Sequence, residues 1–177
     1  MKGQKMDGSI QVYYGNGRGK TTAALGLGIR AAGVGKQVIM VQFLKKKHSD
    51  TLDFLKKLEP ELQIFRFEKA ACGYSDLSPK EKQEQMLNIK NALGYSRKVL
   101  DTGQCDLLIL DEIFGLVDYN IITIEELMDL NAVKKDSMDL ILTGRNLPEE
   151  VREIADCVYS IQREKEKTPE ILAQGNF

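Results

Sequence analysis

The sequence predicts an α/β domain of three layers, with a mostly parallel central sheet of about six strands covered by helices. Two observations carry that expectation. Short apolar runs alternate with helical segments along most of the chain. Several of those runs are apolar at nearly every position, as in strands buried on both faces. A third observation points to a ligand: a glycine-rich loop lies between the first such run and the first helix.

Taken in order, Ser9–Tyr14 (SIQVYY) reads as a strand and Lys20–Ala32, rich in Ala and Leu, as a helix. Gln37–Phe43 (QVIMVQF) is a continuous apolar strand, Asp50–Leu58 a short helix and Leu62–Phe67 (LQIFRF) a third strand. Ser78-Pro79-Lys80-Glu81 announces a long helix: an N-cap serine, a proline in the first turn and a glutamate three residues after the serine form a capping box. That helix is expected to run to about Asp101 and stop at Gly103. Its Met86, Leu87, Ile89, Leu93 and Leu100 read as core or dimer face. Asp106–Leu110 is the fourth strand, and Thr123 with Glu126 caps another helix by the same logic. Met138–Leu142 is a fifth strand, Asn146–Ala155 a helix and Cys157–Ile161 a sixth strand.

Length and composition bound the rest. At 177 residues the expectation is one domain, 1–177, able to bury a core without staples, with 162–177 as a tail or lid. The 25 basic and 26 acidic side chains nearly cancel, so no overall field draws the chain to nucleic acid or an anionic membrane. No apolar run approaches the ~20 residues of a membrane span. Residues 1–7 lack an apolar signal core, which points to the cytoplasm. Cys72, Cys105 and Cys157 are an odd number with no close spacing; the two that begin strand-like runs, Cys105 and Cys157, read as small hydrophobic filler. His48 is the single histidine, so no zinc constellation of the usual kind exists. The Lys45-Lys46-Lys47-His48 stretch reads as a solvated segment, or as a basic rim that helps anionic ligands approach.

The loop Gly15-Asn16-Gly17-Arg18-Gly19-Lys20-Thr21-Thr22 stands where a phosphate-binding loop must, between strand and helix. Glycines let the chain curl so that backbone N–H groups face phosphate oxygens, and the helix N-terminus adds partial positive charge. Lys20 would reach the phosphates and the Thr21 hydroxyl would ligate Mg²⁺. The usual pattern has a glycine six residues before the lysine, where this chain has Tyr14. A glycine-rich turn without ligand is the bland alternative. It is weakened by a partner motif, Leu107–Leu110 ending in Asp111-Glu112, whose carboxylates at a strand end suit Mg²⁺ directly or through water. Loop and carboxylates together read as an ATP–Mg²⁺ site. Glu112 could position water and Arg145 could stabilise a hydrolytic transition state, yet both could do other work.

Residues 15–24 (GNGRGKTTAA) resemble the loop of the ATP:corrinoid adenosyltransferases of the RecA-like P-loop type, which also lacks the first glycine. The likeness continues through Gly26, Arg30–Gly33, Gly35-Lys36 and Val41-Gln42-Phe43, then Leu108–Glu112, Leu142–Arg145, Pro148-Glu149 and Ala155-Asp156. It implies a RecA-like P-loop fold and transfer of the 5′-deoxyadenosyl group of ATP to the cobalt of a reduced corrinoid, with triphosphate leaving. By this likeness Lys20 and Arg18 grip phosphates, Thr21 and Glu112 serve Mg²⁺ with Asp111 in support, and Arg145 faces the ligand cleft. It also implies a homodimer and a reduced flavoprotein as electron donor.

Several departures fall on the corrinoid side or on the lid over ATP, and none on the phosphate side. The family carries Phe-Thr-Trp before its long helix, packing two aromatics against the corrinoid; here the matching stretch is Gly73-Tyr74-Ser75-Asp76. Tyr74 can keep one aromatic face or simply cap the core, whereas the Asp76 carboxylate resists burial against an apolar macrocycle. The family's N-terminal helix that closes over ATP has no counterpart in the roughly ten residues before the first strand. Ile113-Phe114 follow the carboxylates where the family tends to a small polar residue after a leucine, and Ala173–Phe177 match its Ala-Gln-x-Gly stretch loosely. Arg145 has the alternative of an exposed salt-bridge partner. The competing functional readings are a divergent P-loop ATP-binding protein (ATPase, kinase or switch) without a corrinoid site, and a non-enzymatic carrier of nucleotide or corrinoid. A DNA-dependent ATPase is disfavoured by the balanced charge and the lack of a basic stripe.

Overall fold

A computed structural model describes residues 7–45, 54–67 and 74–165. Its sheet has six strands: β1 (Ile10–Tyr14), β2 (Val38–Gln42), β3 (Leu62–Arg66), β4 (Leu107–Asp111), β5 (Asp139–Gly144) and β6 (Cys157–Ser160). They pair in the order β3-β2-β4-β5-β1-β6, and every pair is parallel. The helices are α1 (Lys20–Ala32), α2 (Pro79–Thr102), α3 (Ile113–Asp118), α4 (Ile124–Ala132) and α5 (Glu149–Ile154), with 3₁₀ turns at Lys56–Leu58 and Tyr74–Asp76. None of the described helices is long and apolar enough to cross a membrane.

Alternation along the buried strands divides their side chains between two cores. Val38, Met40, Leu107, Ile109 and Ile141 pack with Ala24 of α1 on one face. Ile39, Val41, Leu108, Leu110, Leu140 and Leu142 turn to the other, against Ile89, Ala92, Val99 and Leu100 of α2, Leu116 of α3 and Leu127 of α4. Being covered twice, β2 and β4 need apolar residues at almost every position, and each is apolar up to its last residue, Gln42 and Asp111.

The expected helix signals form as bonds. Ser78 Oγ accepts from the Glu81 amide while the Glu81 carboxylate accepts from the Ser78 amide. Thr123 and Glu126 repeat the arrangement on α4. Each N-cap is worth about 1 kcal/mol. Gly103 ends α2 in the left-handed conformation, at φ 68°. Along α2, Ile89 and Leu100 are core, Met86 and Leu93 are half-buried and Leu87 is exposed.

Three expectations are corrected. The helix expected from Asn146 begins at Glu149, because Pro148 holds the preceding chain extended. Helix α3 has no counterpart in the sequence reading: Ile113–Leu116 are all buried, so no polar face marks a helical period. Cys157 is exposed on the edge strand β6, not filler, whereas Cys105 is buried as expected. Of the helix expected over Asp50–Leu58, residues 54–58 are described, helical at Phe54 and Leu55 and ending in the 3₁₀ turn, while Cys72, His48 and most of 162–177 lie outside the described residues.

Burial pushes the Cys105 thiol up to about 12, so it stays protonated and inert at neutral pH. With the folded protein, a thiol reagent followed by peptide mapping should modify Cys157 within minutes and Cys105 only after denaturation. Equal labelling of both would contradict the packing of the β4 entrance.

Candidate functional site

The glycine-rich loop, the end of β4 and the end of β5 meet at the carboxyl edge of the sheet. β5 pairs with both β1 and β4, so it stands between the loop that follows β1 and the carboxylates that end β4. In an open parallel sheet this edge is where ligands bind.

The missing first glycine has a structural explanation. Tyr14 is still strand, paired with Gly144 and Ser160, and its carbonyl accepts from the Ile161 amide at 2.7 Å. The turn starts one residue later at Gly15, whose φ of 119° favours glycine. A Cβ on Gly15 would also collide with the Ile161 carbonyl oxygen, and one on Gly17 would lie 2.8 Å from the same atom. The chain leaving β6 therefore lies against the loop, and the Gly17 amide donates to the Ile161 carbonyl at 2.9 Å. The Gly15 amide donates to the Arg145 carbonyl at 3.0 Å. These two loop amides are thus spent on the scaffold, contrary to the expectation that the glycine amides as a set face phosphate. The amides of Lys20, Thr21 and Thr22 open α1, where a helix has no carbonyl of its own to offer.

Lys20 bends back over the loop, its ammonium donating to the carbonyls of Gly15 (2.7 Å) and Gly17 (2.9 Å). Its pKa is lowered, first by burial and then by the positive charges of Arg145 and Lys45, while Glu112 and Asp111 act in the opposite sense. An incompletely solvated ammonium gains from an incoming polyanion. Arg18 and Asn16 are exposed at the rim, as are Thr22 and the side chain of Arg145. The Asn16 carboxamide oxygen accepts from the Arg163 amide at 3.3 Å.

Asp111 is fully buried and is the most heavily bonded side chain of the site. The Thr21 hydroxyl lies 2.9 and 3.0 Å from its two oxygens, Thr143 donates to Oδ1 at 2.7 Å, and the Gln42 amide donates to Oδ2 at 3.0 Å. Lys45 adds an ammonium 3.5 Å from Oδ2 and 3.2 Å from Thr21 Oγ1. Thr143 also accepts from the Glu112 amide at 2.8 Å, so one hydroxyl fixes the Asp111 carboxylate and the backbone of the next residue. Glu112 sits in the left-handed region at φ 63°, a strained position for a residue with a side chain, between β4 and α3. Behind it Gly144 leaves no room for a Cβ against the Phe114 ring.

The structure thus brings together Gly15, Gly17, Lys20, Thr21, Asp111, Glu112 and Arg145, as the sequence suggests. Tyr74 and Asp76 do not join them through any described contact: Tyr74 is half-buried against the larger core, its ring 5.1 Å from that of Tyr119, and Asp76 is exposed. The sequence gives no separate role to Gln42 or Thr143, and places Lys45 only in a solvated or rim segment, not against Asp111. The available signal for Gln42 and Thr143 was a polar residue interrupting an otherwise apolar buried strand. Lys45 was hidden in a charge run that reads as solvent-exposed, yet its side chain is only 28% exposed.

Comparison with known proteins agrees with the geometry. Residues 6–174 match the model of the family described as ATP:corrinoid adenosyltransferase BtuR/CobO/CobP. The corrinoid adenosyltransferase of Escherichia coli K12 is 30% identical over 155 residues, covering 88% of this chain and 76% of that protein. That of Salmonella typhimurium LT2 is 30% identical over 159 residues, covering 90% and 79%. Among solved structures, a KaiC-like protein from Pyrococcus horikoshii OT3 superposes with a TM-score of 0.62 over 91% of this chain and 75% of that one; at 21% identity the likeness speaks to fold alone.

Thr143→Val keeps the shape of the side chain and removes both of its bonds. We expect a loss of about 1–3 kcal/mol in unfolding free energy, read by urea denaturation. Weaker nucleotide binding should accompany it, and an unchanged midpoint would mean that the hydroxyl does not organise Asp111 and Glu112.

Proposed function

The chain belongs to the ATP:corrinoid adenosyltransferase family, and we propose that its strand-end loop holds the triphosphate of ATP as a leaving group. The enzyme transfers the 5′-deoxyadenosyl group of ATP to the cobalt of a reduced corrinoid and releases triphosphate. The electron pair on Co(I) forms the Co–C5′ bond as the C5′–O bond breaks, and the bond pair departs with triphosphate. A nucleophile of that strength needs no general base. The protein's task is positioning and neutralising charge on the departing group.

In this reading Lys20 exchanges its loop carbonyls for phosphate oxygens, Arg18 closes from the rim, and the opening amides of α1 complete the cradle with Asn16, Gly19 and Thr22, while Gly15 and Gly17, their amides bonded to Arg145 and Ile161, shape the turn. Arg145, close enough to depress the pKa of Lys20, adds a further positive charge. The observation that carries the reading is the junction of Lys20, Thr21 and Asp111 at one strand edge in a chain of this family.

Hard oxygen donors with a cation already beside them suit Mg²⁺. Thr21 and Glu112 would hold it, with Asp111 acting through the Thr21 hydroxyl, and bound there the ion would neutralise phosphate charge. Lys45 marks the place: its ammonium stands against Thr21 Oγ1 and Asp111. Among the described residues no three His, Cys, Asp or Glu side chains converge on a metal, so the ion would share its remaining ligation with phosphate oxygens and water.

Tyr74 and Asp76 are proposed to border the corrinoid, with Tyr74 supplying an aromatic face. Residues 1–177 are taken as one nucleotide-binding domain, a reading supported by Ile161–Arg163 lying against the loop. Family resemblance supports a homodimer, a reduced flavoprotein donor and a cytoplasmic setting.

An anaerobic mixture of protein, Mg-ATP and chemically reduced cob(I)alamin tests the assignment. Visible absorption should report adenosylcobalamin, and the phosphate product should be intact triphosphate; ADP with phosphate would reassign the loop to hydrolysis. Lys20→Ala should lower ATP affinity at least a hundredfold, as expected for a buried charge-assisted contact of roughly 3 kcal/mol. Retained affinity would remove the loop from the binding site.

A further inference from the structure

The bonds around Asp111 continue across the sheet to its far edge. Arg66 on β3, Gln42 on β2 and Asp111 on β4 occupy one row of the register, Gln42 facing Arg66 on one side and Asp111 on the other. Gln42 is only 4% exposed. Its oxygen accepts from Arg66 Nε at 2.7 Å and its Nε2 donates to Asp111 Oδ2 at 3.0 Å.

The charges on either side dictate the orientation of that amide. A guanidinium only donates and a carboxylate only accepts. Turning the amide over would set N–H against N–H at Arg66 and lone pair against lone pair at Asp111. Arg66 therefore fixes Gln42, and Gln42 fixes which lone pair of Oδ2 is used. With Thr143 holding Oδ1, the plane of the carboxylate is set by two donors from two neighbouring strands. What remains is presented to Thr21, and through it to α1.

We infer that Gln42, anchored by Arg66, is a positioning residue for the Mg²⁺-dependent part of ATP binding. It acts through Asp111 and Thr21 and does not touch the nucleotide. The inference rests on the reading that Thr21, Asp111 and Glu112 serve Mg²⁺. Groups bonded directly to a metal ligand change metal affinity by about 10–100-fold when removed; Gln42 stands one bond further out, behind Asp111, so the lower end of that range is expected. A side chain that merely filled space in the sheet would have no preference between metal-bound and metal-free nucleotide.

That difference is the test. Calorimetric titration of the full chain with ATP, once with Mg²⁺ and once with excess EDTA, gives the tightening that the metal confers. Gln42→Leu keeps the bulk without the amide; Arg66→Met, on the edge strand and half-buried, removes the anchor with less risk to folding. Each should cut the Mg²⁺-dependent tightening, by about tenfold for Gln42→Leu and less for Arg66→Met, with metal-free affinity within about twofold of wild type. Thermal melts establish that the variants are folded, and Arg66→Met alone decides if Gln42→Leu is not. Equal weakening with and without metal would reduce Gln42 to a structural role, and unchanged tightening in both variants would overturn the inference outright. If the wild-type chain bound ATP equally with Mg²⁺ and with EDTA, the metal reading itself would fail, and the positioning role with it.

Discussion

A carboxylate with no solvent exposure, Asp111, organises the carboxyl edge of this sheet. Burying an ionised group without partners costs many kcal/mol, so its surroundings have to be built to suit it. Here they come from α1, β2, β5 and the chain after β2: Thr21, Gln42, Thr143 and Lys45. Each donor fixes its own element relative to β4. The phosphate loop is attached to α1, so the position of the loop over the sheet follows from the same requirement. Remove the charge and Thr21 and Thr143 lose the acceptor they share, and Gln42 would be left with Arg66 alone.

The loop is constrained from the other side by the chain leaving β6. Ile161 bonds to Tyr14 and to Gly17, and its carbonyl fills the space in front of Gly15 and Gly17 where side chains would stand. Two of the loop's glycines are therefore explained by backbone approaching backbone, before any nucleotide is considered. The same contact lets position 14 be a tyrosine. Strand pairing persists through it on both sides, so no glycine conformation is required until residue 15.

Much of this was legible in the sequence because it follows from local rules. Both capping boxes, the left-handed stop at Gly103 and all six strands rest on residue types and spacing that physical chemistry restricts. The loop and Asp111-Glu112 were legible for the same reason. What escaped the sequence depends on strands that are distant in the chain. No spacing rule brings Thr143 to Asp111, or Arg66 to Gln42; the parallel register does. Helix α3 escaped because burial on all sides erases periodicity, and Lys45 because a run of lysines reads as solvent-exposed even when its first member turns inward. A glutamine closing an otherwise apolar strand has to bond to something.

A loop of this design is usually associated with hydrolysis, and its electrostatics alone do not choose between hydrolysis and transfer. Both reactions drive negative charge onto phosphate oxygens, and both gain from Lys20, whose incomplete solvation leaves it ready to exchange carbonyl oxygens for anionic ones. The choice lies in which atom of ATP is left open to attack. Hydrolysis needs an ordered water in line with the terminal phosphorus and a group to orient it. Adenosyl transfer needs the triphosphate held still and the C5′ carbon open to cobalt. Among the described residues beside the loop the carboxylate left for the first task is Glu112, and its backbone is held in a strained conformation by Thr143 while its charge supports Lys20. Its charge acts on Lys20 without bonding to it, so it would favour whichever phosphate charge Lys20 meets. The electrostatics suit either reaction, and it is membership of the corrinoid adenosyltransferase family that decides for transfer.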